Sequence, residues 1–231
     1  MFYQENPLSL KLSTEESVHC TKVLRHQLGD NITIFDGKGN VMDCIITKLG
    51  KEVSFEIIKA NHFQESIVEY EIAVAPPKSA QRFDFMIEKM IELGVQKIHL
   101  LKTAHSERNH ISAKRLEKQI IATCKQCKTY YLPKIELDVD FKSLLTPDFE
   151  HYLFYCGEEH AKTPLSEVIN NCKKSRFYIG PEGDFSLQEV EFFMTKSGVL
   201  ASLGTQRLRT ETAAIHVASS LYLVKKLLLN N

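Results

Sequence analysis

The spacing of apolar and polar residues changes character once along the chain. In the first part, short runs alternate. Asn31-Ile32-Thr33-Ile34-Phe35 has a period of two and is followed by Asp36-Gly37, a turn signal. Val41 to Leu49 is a second strand that ends at Gly50-Lys51, and Val53-Ser54-Phe55-Glu56-Ile57 alternates again. Short strands at this spacing predict a small β-barrel. The polar stretch Asn61-His62-Phe63-Gln64-Glu65-Ser66 predicts a linker after it. From about Tyr70 strand and helix take turns. Glu71 to Ala75 predicts a strand that stops at Pro76-Pro77. Phe83, Met86, Ile87 and Met90 recur at helical spacing, with Gly94 where a C-terminal cap belongs. Lys97 to Leu101 is the next strand, and Leu116, Ile120, Cys124 and Cys127 mark the apolar stripe of another helix. Strands at Tyr152 to Cys156 and Arg176 to Ile179 follow. Such alternation predicts a mostly parallel α/β domain.

Two segments near the C-terminus carry the chemistry. Tyr178-Ile179-Gly180-Pro181-Glu182-Gly183-Asp184-Phe185-Ser186 reads as a strand end, a glycine turn and a helix start. Gly180 and Gly183 permit a positive φ and a close approach of backbone to ligand, and Pro181 stiffens the turn. Ser186 with Glu189 three residues on forms a capping box. Val199 to Leu203 returns as a strand that Gly204 ends. Thr210 is placed to cap a last helix lined by Ala213, Ala214, Val217, Ala218, Leu221 and Val224. A lone glycine turn is commonly an ordinary βα connection. Two at successive strand ends point to a ligand site, because open α/β sheets bind ligands at their carboxyl edge. The glycine spacing is not that of a dinucleotide fingerprint, and no phosphate-loop lysine follows.

Composition narrows the function further. At 231 residues the chain holds one or two domains, and 43% hydrophobic with 25% charged residues is ordinary for a globular protein. Lys and Arg (29) balance Asp and Glu (29), which excludes a strong, indiscriminate nucleic-acid binder but leaves room for a local basic face. No apolar run reaches membrane-spanning length, and Met1 to Pro7 has no signal-peptide regions. Six scattered cysteines fit reduced thiols in a cytoplasmic protein. Cys124-Lys125-Gln126-Cys127 has no second pair, and the nine histidines form no ligand pattern, so no metal is expected. His216, in the last helix, is expected to be packed.

Gly180-Pro181-Glu182-Gly183, Leu203-Gly204 and Leu208-Arg209-Thr210-Glu211-Thr212-Ala213-Ala214 together closely resemble the RsmE family, bacterial ribosomal RNA uridine-N3 methyltransferases of the SPOUT superfamily. The likeness extends over nearly the whole chain: His19, Val23-Leu24-Arg25 and Gly29-Asp30 look like the N-terminal barrel pattern. Pro77-Lys78, Glu92-Leu93-Gly94-Val95, Ser106-Glu107-Arg108 and Lys125-Gln126 also match. The resemblance implies a PUA-like β-barrel over residues 1–69 and a SPOUT α/β domain with a C-terminal trefoil knot over 70–231. It implies S-adenosylmethionine as cofactor and a homodimer joined through the knot region. The partner it implies is 16S rRNA in the assembled small ribosomal subunit. The chain departs from the family pattern at Asp184, where glycine is usual, at Thr205-Gln206, where Pro-Arg is usual, and at Asn109, where serine is common.

On that footing the backbone of Gly157, Ile179, Gly180, Pro181, Glu182, Gly183, Leu203, Gly204, Leu208, Arg209, Thr210, Thr212 and Ala213 is expected to hold the cofactor. Arg209 is the candidate for stabilising negative charge on the uracil ring, with a salt bridge to Glu211 or Glu182 as its structural alternative. Glu182 is the candidate for orienting the cofactor or taking a proton, with a helix-dipole partner as its alternative. RNA contacts are expected from His19, Lys22, Arg25 and His26, and from a denser cluster of His105, Arg108, His110, Lys114 and Arg115, with Arg108 foremost. Ribose 2′-O methylation, or RNA binding without methyl transfer, are the competing readings.

Overall fold

The computed structural model describes residues 1–64, 70–108, 110–171 and 174–229. Backbone contacts divide the chain into two compact units, one from Met1–Ser66 with Ile121–Leu132, the other from Ile67–Ile120 with Pro133–Asn231.

In the first unit, β1 (Phe2–Tyr3) leads into helix α1 (Thr14–Val18), whose N-terminus is capped by the Ser13 side chain accepting from Glu16 N–H. Strands β2 (Asn31–Phe35), β3 (Asn40–Lys48) and β4 (Ser54–His62) follow, and the sheet order is β1-β2-β3-β4. The pairs β2–β3 and β3–β4 are antiparallel, with a register shift between Asp43 and Cys44. The alternating apolar positions meet in one core of Phe2, Ile34, Cys44, Ile46, Val53 and Phe55. Strand β4 runs on through Asn61 and His62, so the linker expected there does not begin at Asn61. Glu65 and Ser66 lie outside the described residues. The residues after Ile121 join this unit through Gly39 N–H donating to Tyr130 C=O at 3.1 Å and Leu132 N–H donating to Gly37 C=O at 3.0 Å. Lys125 pairs with Glu16 at 2.8 Å. Sequence spacing alone had no means of showing this return.

The second unit alternates strand and helix as expected: β5 (Tyr70–Val74), α2 (Ala80–Glu92), β6 (Lys97–Lys102), α3 (Ala113–Cys127), whose residues from Ile121 on belong to the first unit, and β7 (Lys134–Asp140). Then come β8 (Glu150–Phe154), β9 (Thr163–Pro164), α4 (Leu165–Asn171), β10 (Ser175–Ile179), α5 (Leu187–Thr195), β11 (Val199–Ser202) and α6 (Thr210–Leu229). The seven strands are ordered β7-β6-β5-β10-β8-β11-β9, and every pair is parallel. Every residue of β5 and β10 is buried, as a parallel strand covered on both faces requires. One face packs Tyr178, Leu153 and Ala73 against Phe141, Val190 and Phe193, the last two from α5. On the other, Phe177 stacks on Tyr152 at 5.6 Å, and α6 packs against α2, β5 and β10.

At the amino-terminal end of this sheet lies an ionic cluster centred on the buried Glu71, His99 and Arg176. Glu71 Oε2 accepts from His99 Nε2 at 2.8 Å and from Arg176 Nε at 2.6 Å, while His99 Nδ1 faces Glu136 Oε2 at 2.9 Å. Lys97 stands 3.4 Å from both Glu71 and Glu136, and Arg176 donates to the Leu144 carbonyl. Burial opposes charge on Glu71, but the hydrogen bonds from His99 and Arg176 outweigh it and hold its carboxyl at about 2, against an ordinary 4.5. A carboxyl depressed in the folded state stabilises the fold fully above its unfolded value and loses that contribution as pH falls towards its folded one. Glu71→Gln is therefore expected to cost about 3 kcal/mol at pH 7, because Arg176 is left buried without its counter-charge. The gap between variant and wild type, measured by urea denaturation, should narrow as pH falls from about 4.5 towards 2. A pH-independent gap would show that the charge is not what stabilises the cluster.

Candidate functional site

Register sets the site. Ile179, the last residue of β10, pairs with Val74 of β5 on one side and Phe154 of β8 on the other. Ala201 of β11 pairs with Phe154 in turn. The carboxyl ends of four neighbouring strands are thereby level, and the bends after β8, β10 and β11 open side by side. They enclose a cleft of 770 Å³. Its apolar floor comes from Phe154, Ile179, Ala201 and Ala213, and its rim carries carboxylates (Glu158, Glu182, Asp184) and cations (Lys162, Arg207, Arg209).

Of the residues expected to hold a cofactor, Ile179, Gly180, Pro181, Glu182, Leu203, Gly204, Leu208, Arg209, Thr210 and Ala213 line this cleft. Gly157, Gly183 and Thr212 are not among its lining residues. Gly157 C=O accepts from Lys162 Nζ at 2.6 Å, Gly183 borders a separate shallow hollow beside His105, and Thr212 is exposed on α6. Lys162, half-buried, and Arg207, exposed, escaped the sequence reading because a cation in a loop carries no periodic signal.

Three local expectations are corrected by the geometry. Gly180 and Gly183 do not adopt positive φ; the left-handed residue of the turn is Asp184, at +62°. Gly180 is needed for space instead, because a Cβ there would stand 3.1 Å from the Phe185 ring and 3.2 Å from Asp184 Oδ1. At Gly183 a Cβ would meet His105 Cβ at 3.1 Å. Thr210 is the first residue of α6 and not its cap: its buried hydroxyl donates to Gly180 C=O at 3.0 Å, tying the helix start to the β10 turn. His216 is exposed on α6, not packed. By contrast, the capping box at Ser186 forms as read, with Glu189 accepting from Ser186 N–H at 2.8 Å. A second oxygen of Glu189 accepts from Ala104 N–H at 2.9 Å, which draws the loop after β6 to the start of α5.

The backbone of Lys78 gathers two other candidates. Its N–H donates to Glu182 Oε1 at 3.2 Å, and its C=O accepts from Arg108 Nη1 at 3.4 Å. The Arg108 guanidinium also lies 4.6 Å from the centre of the Phe83 ring. Arg209 is exposed and makes no ion pair among the described residues, while Glu211 faces Arg82 at 3.6 Å. The salt-bridge alternative for Arg209 is thus not what the fold adopts. Of the denser basic cluster, Arg115 pairs with Asp84, and His105 Nδ1 lies 3.1 Å from Gly183 C=O. Asn109 lies outside the described residues.

In the first unit, His19 opens a π-helical turn (His19–Val23) that ends with Leu24 N–H donating to His19 C=O at 3.0 Å. The turn leaves Lys22 and Arg25 exposed, with Arg25 at φ +57° and Val23 63% exposed between them. His26 is held by Asp30 at 3.1 Å.

Cys156, at the cleft wall, has its thiol raised first by burial and then by Asp184, against the pull of Arg207 and Lys162. Cys124 is pushed up to about 12 by burial, which makes it an inert core thiol. No group of three or more His, Cys, Asp or Glu suited to a metal stands among the described residues. No described helix is long and apolar enough to cross a membrane.

A parallel sheet with a mixed-charge cleft at its carboxyl edge, in a chain with a separate small β-unit, defines a class. The chain belongs to the RNA methyltransferase family: residues 64–222 match the model of an RNA methyltransferase domain, and residues 12–58 match that of an RNA methyltransferase PUA domain. Within that class, relatives 25–28% identical to it share a name. Ribosomal RNA small subunit methyltransferase E of Buchnera aphidicola subsp. Acyrthosiphon pisum is 28% identical, over 95% of this chain and 91% of that protein. The enzyme of the same name from Bacillus subtilis is 26% identical, over 94% and 91%. Among solved structures, a probable rRNA-methyltransferase from Porphyromonas gingivalis superposes with a TM-score of 0.89 at 29% identity, covering 98% of both chains. A ribosomal RNA small subunit methyltransferase E from Neisseria gonorrhoeae, bound to S-adenosyl methionine, gives 0.81 at 26% identity and 96% coverage of both. The resemblance to the RsmE family and the expected fold class of a PUA-like unit ahead of a parallel α/β methyltransferase domain are borne out.

The Thr210–Gly180 bond is testable by an isosteric change. Thr210→Val removes the donor and leaves a buried carbonyl unpaired, which should lower stability by about 1–2 kcal/mol. In urea denaturation the midpoint should drop at unchanged slope. An unaltered midpoint would mean that water or a moved backbone replaces the bond.

Proposed function

We propose that this protein transfers a methyl group from S-adenosylmethionine to N3 of a uridine in 16S rRNA, within the small ribosomal subunit. The observation that carries the reading is the cleft formed by the bends after β8, β10 and β11, in a chain whose relatives are small-subunit rRNA methyltransferases. Its donor set fits such a cofactor: an apolar floor for the adenine, carboxylates for the cationic groups and cations for the carboxylate. Backbone of Ile179, Gly180, Leu203, Gly204 and Leu208 would hold it.

When bound, the cofactor supplies an electrophilic methyl on a positively charged sulfur. The N3 lone pair forms the new N–C bond, the C–S electrons stay on sulfur, and the N3 proton leaves. No metal or covalent intermediate is called for, so positioning dominates, and oriented reactants recover about 7–11 kcal/mol of the barrier. Arg209, exposed at the cleft and free of an ion pair among the described residues, stabilises the negative charge that grows on the uracil oxygens. Glu182 has one oxygen tethered by Lys78 N–H and is otherwise exposed, which suits it to receive the N3 proton. In the N-terminal part, residues 1–69 in this reading, Lys22 and Arg25 present charge to phosphate, joined by His19; Arg108 does the same from the methyltransferase domain, residues 70–231. The reading includes a trefoil knot, a homodimer joined through it and work in the cytoplasm. The strand order β5-β10-β8-β11, in which β10 is inserted between its predecessors, supports the knot.

N3 methylation blocks the Watson–Crick edge, so reverse transcription halts at the modified base. Purified protein given S-adenosylmethionine and small subunits lacking the modification should create one such stop. Ribose methylation would yield a stop only at low nucleotide concentration, and a pure binding protein none; either result sinks the N3 reading. Arg209→Ala is expected to cut turnover by about a hundredfold while leaving cofactor affinity within a few-fold. Equal losses in turnover and in calorimetric affinity would transfer Arg209 from catalysis to binding.

A further inference from the structure

Three carboxylates line the cleft, and they are not equivalent. Glu158 and Glu182 are exposed, on side chains with several rotatable bonds. Asp184 is half-buried and both of its oxygens are pinned: Oδ2 accepts from Cys156 N–H at 2.9 Å and Oδ1 from Phe185 N–H at 2.8 Å. Its own N–H donates to Pro181 C=O at 2.9 Å. The backbone that presents it has φ of +62°, a conformation glycine enters freely and aspartate only at some cost. A formally charged side chain is therefore held, at an unfavourable φ, on the wall of the cleft. Backbone N–H groups orient that charge without cancelling it. No ion pair to Asp184 is present among the described residues, and Lys162, the cation nearest in sequence to Cys156, is engaged with the Gly157 carbonyl. The charge reaches into the cleft, where it contributes to raising the neighbouring Cys156 thiol after burial itself.

We infer that Asp184 is a specificity-determining residue that makes the cleft prefer a cationic sulfonium cofactor to its neutral thioether product. The inference rests on the methyl-transfer reading above and deepens it. Methyl transfer discharges the sulfur: S-adenosylmethionine carries a positive sulfonium, and S-adenosylhomocysteine, formed when the C–S electrons remain on sulfur, does not. The two ligands otherwise share adenosine and amino-acid groups, so a fixed negative charge acts chiefly on their difference. A single charge partly screened at the mouth of a cleft is worth roughly tenfold in the ratio of the two affinities, which is about 1.4 kcal/mol. The consequence is relief of product inhibition: the reacted cofactor leaves from a cleft that no longer attracts it.

The test is calorimetry of the full-length protein with each ligand separately, without turnover. Asp184→Asn keeps the size and one acceptor of the side chain but removes its charge. It should weaken S-adenosylmethionine about tenfold and leave S-adenosylhomocysteine within about twofold. Asp184→Gly suits the positive φ, removes the carboxylate without backbone strain and should give the same change in ratio, so a folding defect in the first variant does not stall the experiment. Parallel weakening of both ligands would make Asp184 a structural pin between the β8 and β10 bends and overturn the inference, as would an unchanged ratio in both variants. Wild-type protein that binds neither ligand would remove the methyl-transfer reading itself, and the inference with it; wild-type binding with an unaltered ratio removes the inference alone.

Discussion

The site depends on the register of one strand. Strand β10 is buried throughout and lies between β5 and β8, pairing Ser175 with Tyr70 and Glu150 at one end and Ile179 with Val74 and Phe154 at the other. A parallel ladder keeps strand ends level only if its pairing does not slip. Side chains alternate between faces, so a slip of one residue would carry Tyr178 out of the aromatic cluster it shares with Phe141 and Phe193. The packing that stabilises the sheet thus also fixes the height of the three bends that form the cleft.

Chemistry and stability occupy opposite ends of that sheet. At the amino ends, buried Glu71, His99 and Arg176 compensate each other, with the exposed Glu136 closing the cluster from outside. At the carboxyl ends the charges are left uncompensated, with Asp184 fixed by backbone donors and Arg209 without an ionic partner among the described residues. Buried charge must be paired to be tolerated, whereas charge at a ligand site is useful only while it is not. The two ends obey the same electrostatics with opposite outcomes.

Local signals were legible in the residues and long-range ones were not. The alternation of Asn31–Phe35, the helical stripe through Phe83 and Met90, and the Ser186–Glu189 capping box all depend on neighbours within a turn or two, and each forms as read. Strand β7 was legible and went unread: Lys134–Asp140 alternates charged residues with half-buried Ile135, Leu137 and Val139, the period-two pattern of a strand at the sheet edge. The short helix α4 is only seven residues long and has no room for a periodic stripe. Partners such as Glu71 and Arg176, or Gly39 and Tyr130, lie far apart in sequence, and no spacing rule connects them. In the cleft, the glycine turns and the Leu208–Thr210 run were legible as motifs, while Lys162 and Arg207 became visible only when the fold brought their loops to the rim.

The turn after β10 shows why a motif names residues more reliably than reasons. Glycines at 180 and 183 suggest left-handed backbone, yet the left-handed residue is Asp184, and the glycines serve close packing against Phe185 and His105. A turn that spent its tolerance for positive φ on glycine would present no side chain at that point. Placing aspartate there puts a carboxylate where two backbone N–H groups converge, from Cys156 on one bend and Phe185 on the other. Those two bonds offset the conformational cost, since charge-assisted hydrogen bonds are about twice as strong as neutral ones. The same carboxylate also borders the cleft, so the turn's internal fastening and the electrostatic character of its cavity are set by one side chain.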